Sequence, residues 1–203
     1  MQNNTTDTTE ASVHRRDGIS RRALLAVAGA GIAGSVAAVD TARAAYAPSD
    51  QDLSFTCRRS GRDVVVTASW TWEDGYSGEP PEDVAVIYWN SAEWEYEGVH
   101  RTSDGVQSRR HPHREEGVQG VEFRHDDASA SRGTEYAASV RLEPATEDST
   151  VYLDYTHTYD DTEIREVSVG RDSDGRPTST VRTSDDRKKW EKNRRLDASD
   201  CDY

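Results

Sequence analysis

The stretch VVVTASWTWE, residues 64–73, alternates without a break. Val64, Val66, Ala68, Trp70 and Trp72 share one parity, and Val65, Thr67, Ser69 and Thr71 share the other. Successive side chains on a strand point to opposite faces, so this run reads as a strand with one buried and one wetter face. Just before it, Leu53, Phe55 and Cys57 share a parity in LSFTCRR, and SGRD joins the two runs as a hairpin. DVAVIYWN, residues 83–90, is apolar on both parities and reads as a central strand. EWEYEG, GVEFRHD, TEYAASVRLEP and VYLDYTHTY each alternate in the same way. TEIREVSVG, after a turn at Asp160-Asp161, changes parity between Ile164 and Val167, which predicts a bulge. These eight candidate strands, with Gly-, Pro- and Asp-rich turns between them and no long helix-period run, predict an all-β, antiparallel sandwich. An up-and-down barrel is the alternative.

Within residues 63–159 the chain resembles the fibronectin type III and immunoglobulin-like sandwiches. VVVTASWTW is similar to their second strand, with Trp70 in the place of the core tryptophan. VAVIYWN and EWEYEG resemble the next two strands. RGTEYAASVRL is similar to the penultimate strand, which would make Tyr136 the corner tyrosine. The long insertion HRTSDGVQSRRHPHREEGVQG and the added strand TEIREVSVG depart from the pattern.

The start of the chain has a different character. Residues 23–39 carry no charge and are mostly Ala, Gly and Val, too weakly apolar for a good membrane span. Arg15, Arg16, Arg21 and Arg22 precede them, and Ala42-Arg43-Ala44 follows as a small-x-small cleavage site. That is the three-part plan of an export signal. Ser20, Arg21, Arg22, Leu24 and Leu25 in SRRALL resemble the twin-arginine signal. The resemblance implies translocation by the twin-arginine translocase, cleavage after Ala44, a secreted or cell-surface product and no lasting membrane insertion. The expected organisation is a removed signal over 1–44, a sandwich over 45–170, and a turn-rich linker with a short charged helix or tail over 171–203.

The chain has 38 acidic and 25 basic residues, for a net charge of −13. Removing residues 1–44 makes the remainder one unit more negative. All the lysines are Lys188, Lys189 and Lys192. An acidic, lysine-poor surface suits concentrated salt, where the Debye length near 1 M is about 3 Å and self-repulsion is screened. Together with the twin-arginine signal it resembles the habit of halophilic archaea. So negative a body argues against nucleic acid as a partner. In an exported chain, Cys57 and Cys201 are expected to form a disulfide tying the first strand to the C-terminal end.

Chemistry-bearing motifs are sparse. His111 and His113 form a His-x-His pair, the one metal candidate worth naming, but Pro112 and charged flanks place it in a loop. His125 and His157 lie on apolar parities, with Asp126 or Asp154 as conceivable orienting groups. Asp172, Asp174 and Gly175 hint at a calcium loop, but Arg176 and Pro177 break the pattern in favour of a hairpin turn. No nucleophile elbow, phosphate loop or zinc-protease motif is present, and nothing calls for a cofactor. Tyr88, Trp89, Trp94 and Tyr96 are the candidate stacking residues for a ligand. The sequence therefore points to an exported, salt-adapted sandwich with a binding or surface-structural role toward a glycan or protein. A secreted glycan or peptide hydrolase and a secreted antimicrobial protein are the alternatives.

Overall fold

The computed structural model describes residues 48–72, 82–112, 117–126 and 133–202. The export-signal residues Arg21, Arg22, Ala42 and Ala44, and His113, lie outside the described residues. Eleven strands are described: β1 (Gln51–Ser60), β2 (Asp63–Trp72), β3 (Glu82–Asn90), β4 (Trp94–Thr102), β5 (Val106–His111), β6 (Val118–Asp126), β7 (Glu135–Pro144), β8 (Thr150–Thr158), β9 (Ile164–Arg171), β10 (Pro177–Thr183) and β11 (Lys189–Asp197). They form a four-stranded sheet β1-β2-β7-β4, a five-stranded sheet β11-β8-β3-β6-β5 and a separate β9–β10 ribbon. Every strand pairing is antiparallel. The two large sheets face each other as a sandwich. Among the described residues, neither β1 with β11 nor β4 with β5 is paired in a sheet, so the barrel alternative does not hold.

The alternation read from the sequence sets the inner faces. Val64, Val66, Ala68, Trp70 and Trp72 of β2 are all buried, opposite Leu53, Phe55 and Cys57 of β1. Ala85, Ile87 and Trp89 of β3 meet them from the other sheet, as do Leu153 and Tyr155 of β8. Burying each such side chain is worth about 1.5–3 kcal/mol.

The other face of β3 is covered as well. Val84, Val86 and Tyr88 form a second, smaller core with Val118 of β6 and Val167, Val169 and Val181 of the β9–β10 ribbon. The ribbon seats at Gly120, where a Cβ would lie 3.0 Å from Val169 Cγ1 and 3.1 Å from the Ile87 carbonyl. The predicted bulge is present: the β9–β10 register shifts so that Thr183 faces Ile164 and Arg182 faces Glu166, skipping Arg165. Asp160 and Asp161 both take positive φ in the β8–β9 turn, at 53° and 57°, as a tight turn of this hand requires. Asp172 Oδ1 accepts hydrogen bonds from the Asp174 and Arg176 amides, so DSDG is the β9–β10 turn.

Three expectations are corrected. The segment read as a short helix is strand β11, paired with β8 from Lys189↔Thr158 to Asp197↔Thr150, so the sandwich extends well past residue 170. Its period of two is masked because long Lys and Arg stems share the inward parity with Trp190 and Leu196. Asp185 accepts the Arg187 amide in the turn before β11. RGTEYAASVRL is not the penultimate strand: β7 lies between β2 and β4, four strands follow it, and Tyr136 stacks on Trp70 at 6.2 Å. The Gly-Thr-x-Tyr spacing reports only alternation, which any central strand shares. The charged insertion, with its His111–His113 stretch expected in a loop, contains edge strand β5, which runs up to His111.

Cys57 and Cys201 are disulfide-bonded across 144 residues. Around the bond, the Arg59 amide donates to the Asp202 carbonyl at 2.7 Å and Arg59 Nη2 to the Ala198 carbonyl at 2.9 Å. Cross-linking so long a loop restricts the unfolded chain. Cys57→Ser combined with Cys201→Ser should lower unfolding free energy by about 2–5 kcal/mol in denaturant titrations. An unchanged midpoint would show that the bond contributes nothing.

Candidate functional site

The four aromatic residues expected to stack on a ligand do not form an exposed row. Trp89 and Trp94 are 0% and 2% exposed and Tyr88 is 5% exposed, while Tyr96 is half-buried. Trp89 stacks on Tyr96 at 5.6 Å inside the inter-sheet core, and Trp94 Nε1 donates to the Thr150 carbonyl at 2.9 Å. An exposed row does not form because Trp89, Trp94 and Tyr96 turn into the core between the sheets, while Tyr88 lies on the other face of β3, largely under the ribbon and at the groove described below. The outer edge of Tyr96 lies under Arg110, whose guanidinium carbon sits 4.3 Å from the ring centre.

His111, His125 and His157 pack or bond within the fold. His111, at the end of β5, bonds through Nε2 to Glu122 Oε2 at 2.8 Å. Burial alone would raise the Glu122 carboxyl. The hydrogen bond from His111 and the nearby Arg124, His111 and Arg109 charges outweigh it, so the group sits below its ordinary value. At the opposite end of the core, Asp83 is almost fully buried. It accepts from the Tyr155 hydroxyl at 2.6 Å and the Thr158 amide at 3.2 Å, and it lies 2.8 Å from His157 Nδ1. The group that orients His157 is thus Asp83, not Asp154 or Asp126. Asp83 falls within the run read as a strand and shares the inward parity of Ala85, Ile87 and Trp89, but alternation does not mark its carboxylate as a partner of His157. His125 faces Asp83 across the β3–β6 pairing and packs 3.9 Å from the Tyr136 ring centre. Neither of its ring nitrogens has a hydrogen-bond partner among the described residues.

The outer face of the five-stranded sheet is only partly covered by the ribbon, and beside it lies a groove of about 610 Å³. Residues paired across strands share a face, so Tyr88, Tyr152, Asp154, Asn193 and Arg195 come together there. Tyr88 and Tyr152 stack at 5.3 Å. Ser179 Oγ, from the ribbon, donates to Asp154 Oδ2 at 2.6 Å, and the Tyr88 hydroxyl bonds the same carboxylate. Burial pushes the Asp154 carboxyl up; the Ser179 and Tyr88 hydrogen bonds oppose this, and Glu191 adds to it. The Tyr88 hydroxyl is pushed up by burial and by the Asp154 charge. The groove therefore gathers two carboxyls (the recessed Asp154, and Glu191), two phenols, two hydroxyls (Thr178, Ser179), an amide, an ammonium and two guanidiniums. Sequence reading misses this site because its polar members lie on three strands far apart in the chain.

No family model matches this chain, and no curated protein matches it. Two solved structures are similar to it at low scores. The seventh ScaB type I cohesin from Pseudobacteroides cellulosolvens is 15% identical, over 54% of this chain and 80% of that one, with a TM-score of 0.36. The sixth cohesin of Acetivibrio cellulolyticus scaffoldin B, in complex with a Cel5 dockerin mutant, is 15% identical, over 64% and 96%, with a TM-score of 0.37. Likeness at this level says nothing about what this chain binds. Among the described residues, no helix is long and apolar enough to cross a membrane.

The His125 environment carries a pH prediction. Burial lowers its affinity for protons, against the smaller opposing effects of Asp83 and Asp126. An unfolded histidine titrates near pH 6.5. Below that pH the unfolded chain gains a proton that the folded chain resists, so stability present above about 6.5 is lost as pH falls toward the lower folded value. The melting temperature should drop from pH 7 to pH 5, and should drop less in His125→Phe. Identical pH profiles for the two proteins would contradict this.

Proposed function

We propose that the protein is an exported, salt-adapted β-sandwich binding module whose groove beside the β9–β10 ribbon takes a polyhydroxylated ligand, a surface or extracellular glycan. The observation that carries this is the Asp154 carboxyl, held by Ser179 and Tyr88 next to the stacked Tyr88–Tyr152 pair. A carboxylate that accepts, an amide that both accepts and donates, a guanidinium that donates and an aromatic wall form the donor set that sugar hydroxyls and ring faces need. The ligand would need to be no larger than a few sugar units to lie within about 610 Å³.

A secreted hydrolase is the second reading, favoured by one feature. Glu191 lines the same groove as Asp154, whose carboxyl is pushed upward by burial, and a pair of carboxyls is the working part of glycoside hydrolysis. One experiment separates the two. Titrating the protein calorimetrically with neutral cello-, malto-, chito- and manno-oligosaccharides should detect binding to at least one series. Asp154→Asn and Tyr152→Ala should each weaken it about tenfold or more. No binding across the panel would overturn the glycan reading, and release of new reducing ends would replace binding with hydrolysis.

Export is supported by Arg21-Arg22 ahead of the uncharged run and by the small-x-small site ending at Ala44; salt adaptation is supported by the excess of acids over lysine. Arg21→Lys with Arg22→Lys should hold precursor inside the cell, and the secreted wild-type product should melt higher in molar than in millimolar salt. Normal secretion of the double variant would overturn the route, and salt-independent melting would overturn the adaptation.

A further inference from the structure

The outer face of the four-stranded sheet is shaped as a trough of about 710 Å³. Its shape follows from side-chain length. The two central strands contribute short residues to the floor, Val65 and Thr67 from β2 and Ala137 and Ser139 from β7. The two edge strands contribute long polar side chains to the walls, Arg58 from β1 and His100 and Arg101 from β4. Four strands spaced about 4.8 Å apart place those walls roughly 14 Å from each other.

The β4 wall depends on an irregularity. The β4–β7 register shifts between Val99 and Arg101, so His100 and Arg101 both line the trough, where regular alternation would send one of them to the other face. The bulged end is pinned by Ser139 Oγ, which donates to the Arg101 carbonyl at 3.3 Å, and by Ser103 Oγ, which accepts the Ala137 amide at 2.9 Å. Arg141 Nη2 lies 3.4 Å from His100 Nδ1, which then accepts and leaves Nε2 as the donor.

Acids outnumber bases 38 to 25 in this chain. Arg59, Arg62, Arg124, Arg141, Arg182 and Arg187 each have a carboxylate partner. Among the described residues, no ion pair involves Arg58 or Arg101, although both are exposed and face the same trough. Two acids, Glu135 and Asp202, also line it, so the lining offers acceptors as well as cations. The floor holds no aromatic ring, which removes the stacking platform a single-stranded nucleic acid needs.

We infer that this trough is a second binding site, independent of the Asp154 groove, and that it takes an acidic polysaccharide. Arg58 and Arg101 hold carboxylate or sulfate groups from opposite walls, His100 adds a donor, and Thr67 and Ser139 on the floor, with Glu135 and Asp202, meet the hydroxyls between them. Guanidinium forks make paired hydrogen bonds to such anions, which persist at short range even where salt screens longer-range attraction.

The test is binding of the secreted protein to polygalacturonate, to dextran sulfate and to neutral dextran, measured by affinity electrophoresis at low and at molar salt. Wild-type protein should be retarded by at least one acidic polymer and not by dextran. Arg58→Gln with Arg101→Gln should reduce that affinity about tenfold or more. Both side chains are exposed, so circular dichroism should match wild type, and Arg58→Lys with Arg101→Lys should restore part of the binding. Asp154→Asn should leave it unchanged, which separates this site from the groove. Preference between the two acidic polymers identifies the anion as carboxylate or sulfate. No retardation by either polymer, equal retardation by neutral dextran, tighter binding to single-stranded DNA, or wild-type binding by the double Gln variant would overturn the inference.

Discussion

Strand β3 carries apolar side chains on both faces, and much of the architecture follows from that. Ala85, Ile87 and Trp89 need one cover, and Val84, Val86 and Tyr88 need another. The four-stranded sheet supplies the first. A two-layer sandwich has nothing to offer the second, so the β9–β10 ribbon folds back over the five-stranded sheet as a partial third layer. It contributes Val167, Val169 and Val181, and β6 makes room with Gly120. A side chain at that position would push Val169 away or displace backbone, and overpacking of this kind typically costs about 1–3 kcal/mol.

This arrangement also decides where binding can occur. The large aromatic residues are consumed by the interior, so the open surfaces are the places the covers do not reach. The ribbon covers β3 and β6 but stops short of the outer edge of β8 and β11, leaving the Asp154 groove along its margin. Among the described residues nothing covers the opposite sheet, and its short central and long peripheral side chains leave the cationic trough. The buried Asp83, Tyr155 and His157 cluster belongs to the fold. Its carboxylate is matched by donors from β8 inside a region almost devoid of solvent, where a buried acceptor without donors would be costly.

Legibility in the sequence tracked burial. Where a strand has one oily face, alternation names the inward residues correctly, as for Val64 through Trp72 and for Leu53, Phe55 and Cys57. The DVAVIYWN run announces two-sided cover without saying what supplies it, and so Tyr88 and Trp89 could be taken for exposed stacking residues. The parity change after Ile164 and the Asp160-Asp161 turn are local backbone events with local residue signals, and both are present. Strands β5 and β11 escaped because edge strands in so highly charged a chain carry polar and charged residues on both parities. The two concave sites escaped for another reason: cross-strand pairing assembles each from residues scattered over more than a hundred positions, and no spacing rule in one dimension reports that.

Native-state hydrogen exchange of the β3 amides tests two-sided burial most directly. If both covers are integral to the fold, the amides of Val84 through Trp89 exchange only when the whole domain unfolds, with opening free energies equal to the global value, and the ribbon amides of Val167, Val169 and Val181 are protected with them. Ribbon amides that exchange freely while β3 remains fully protected would show that the outer face of β3 needs no cover, and would contradict the account.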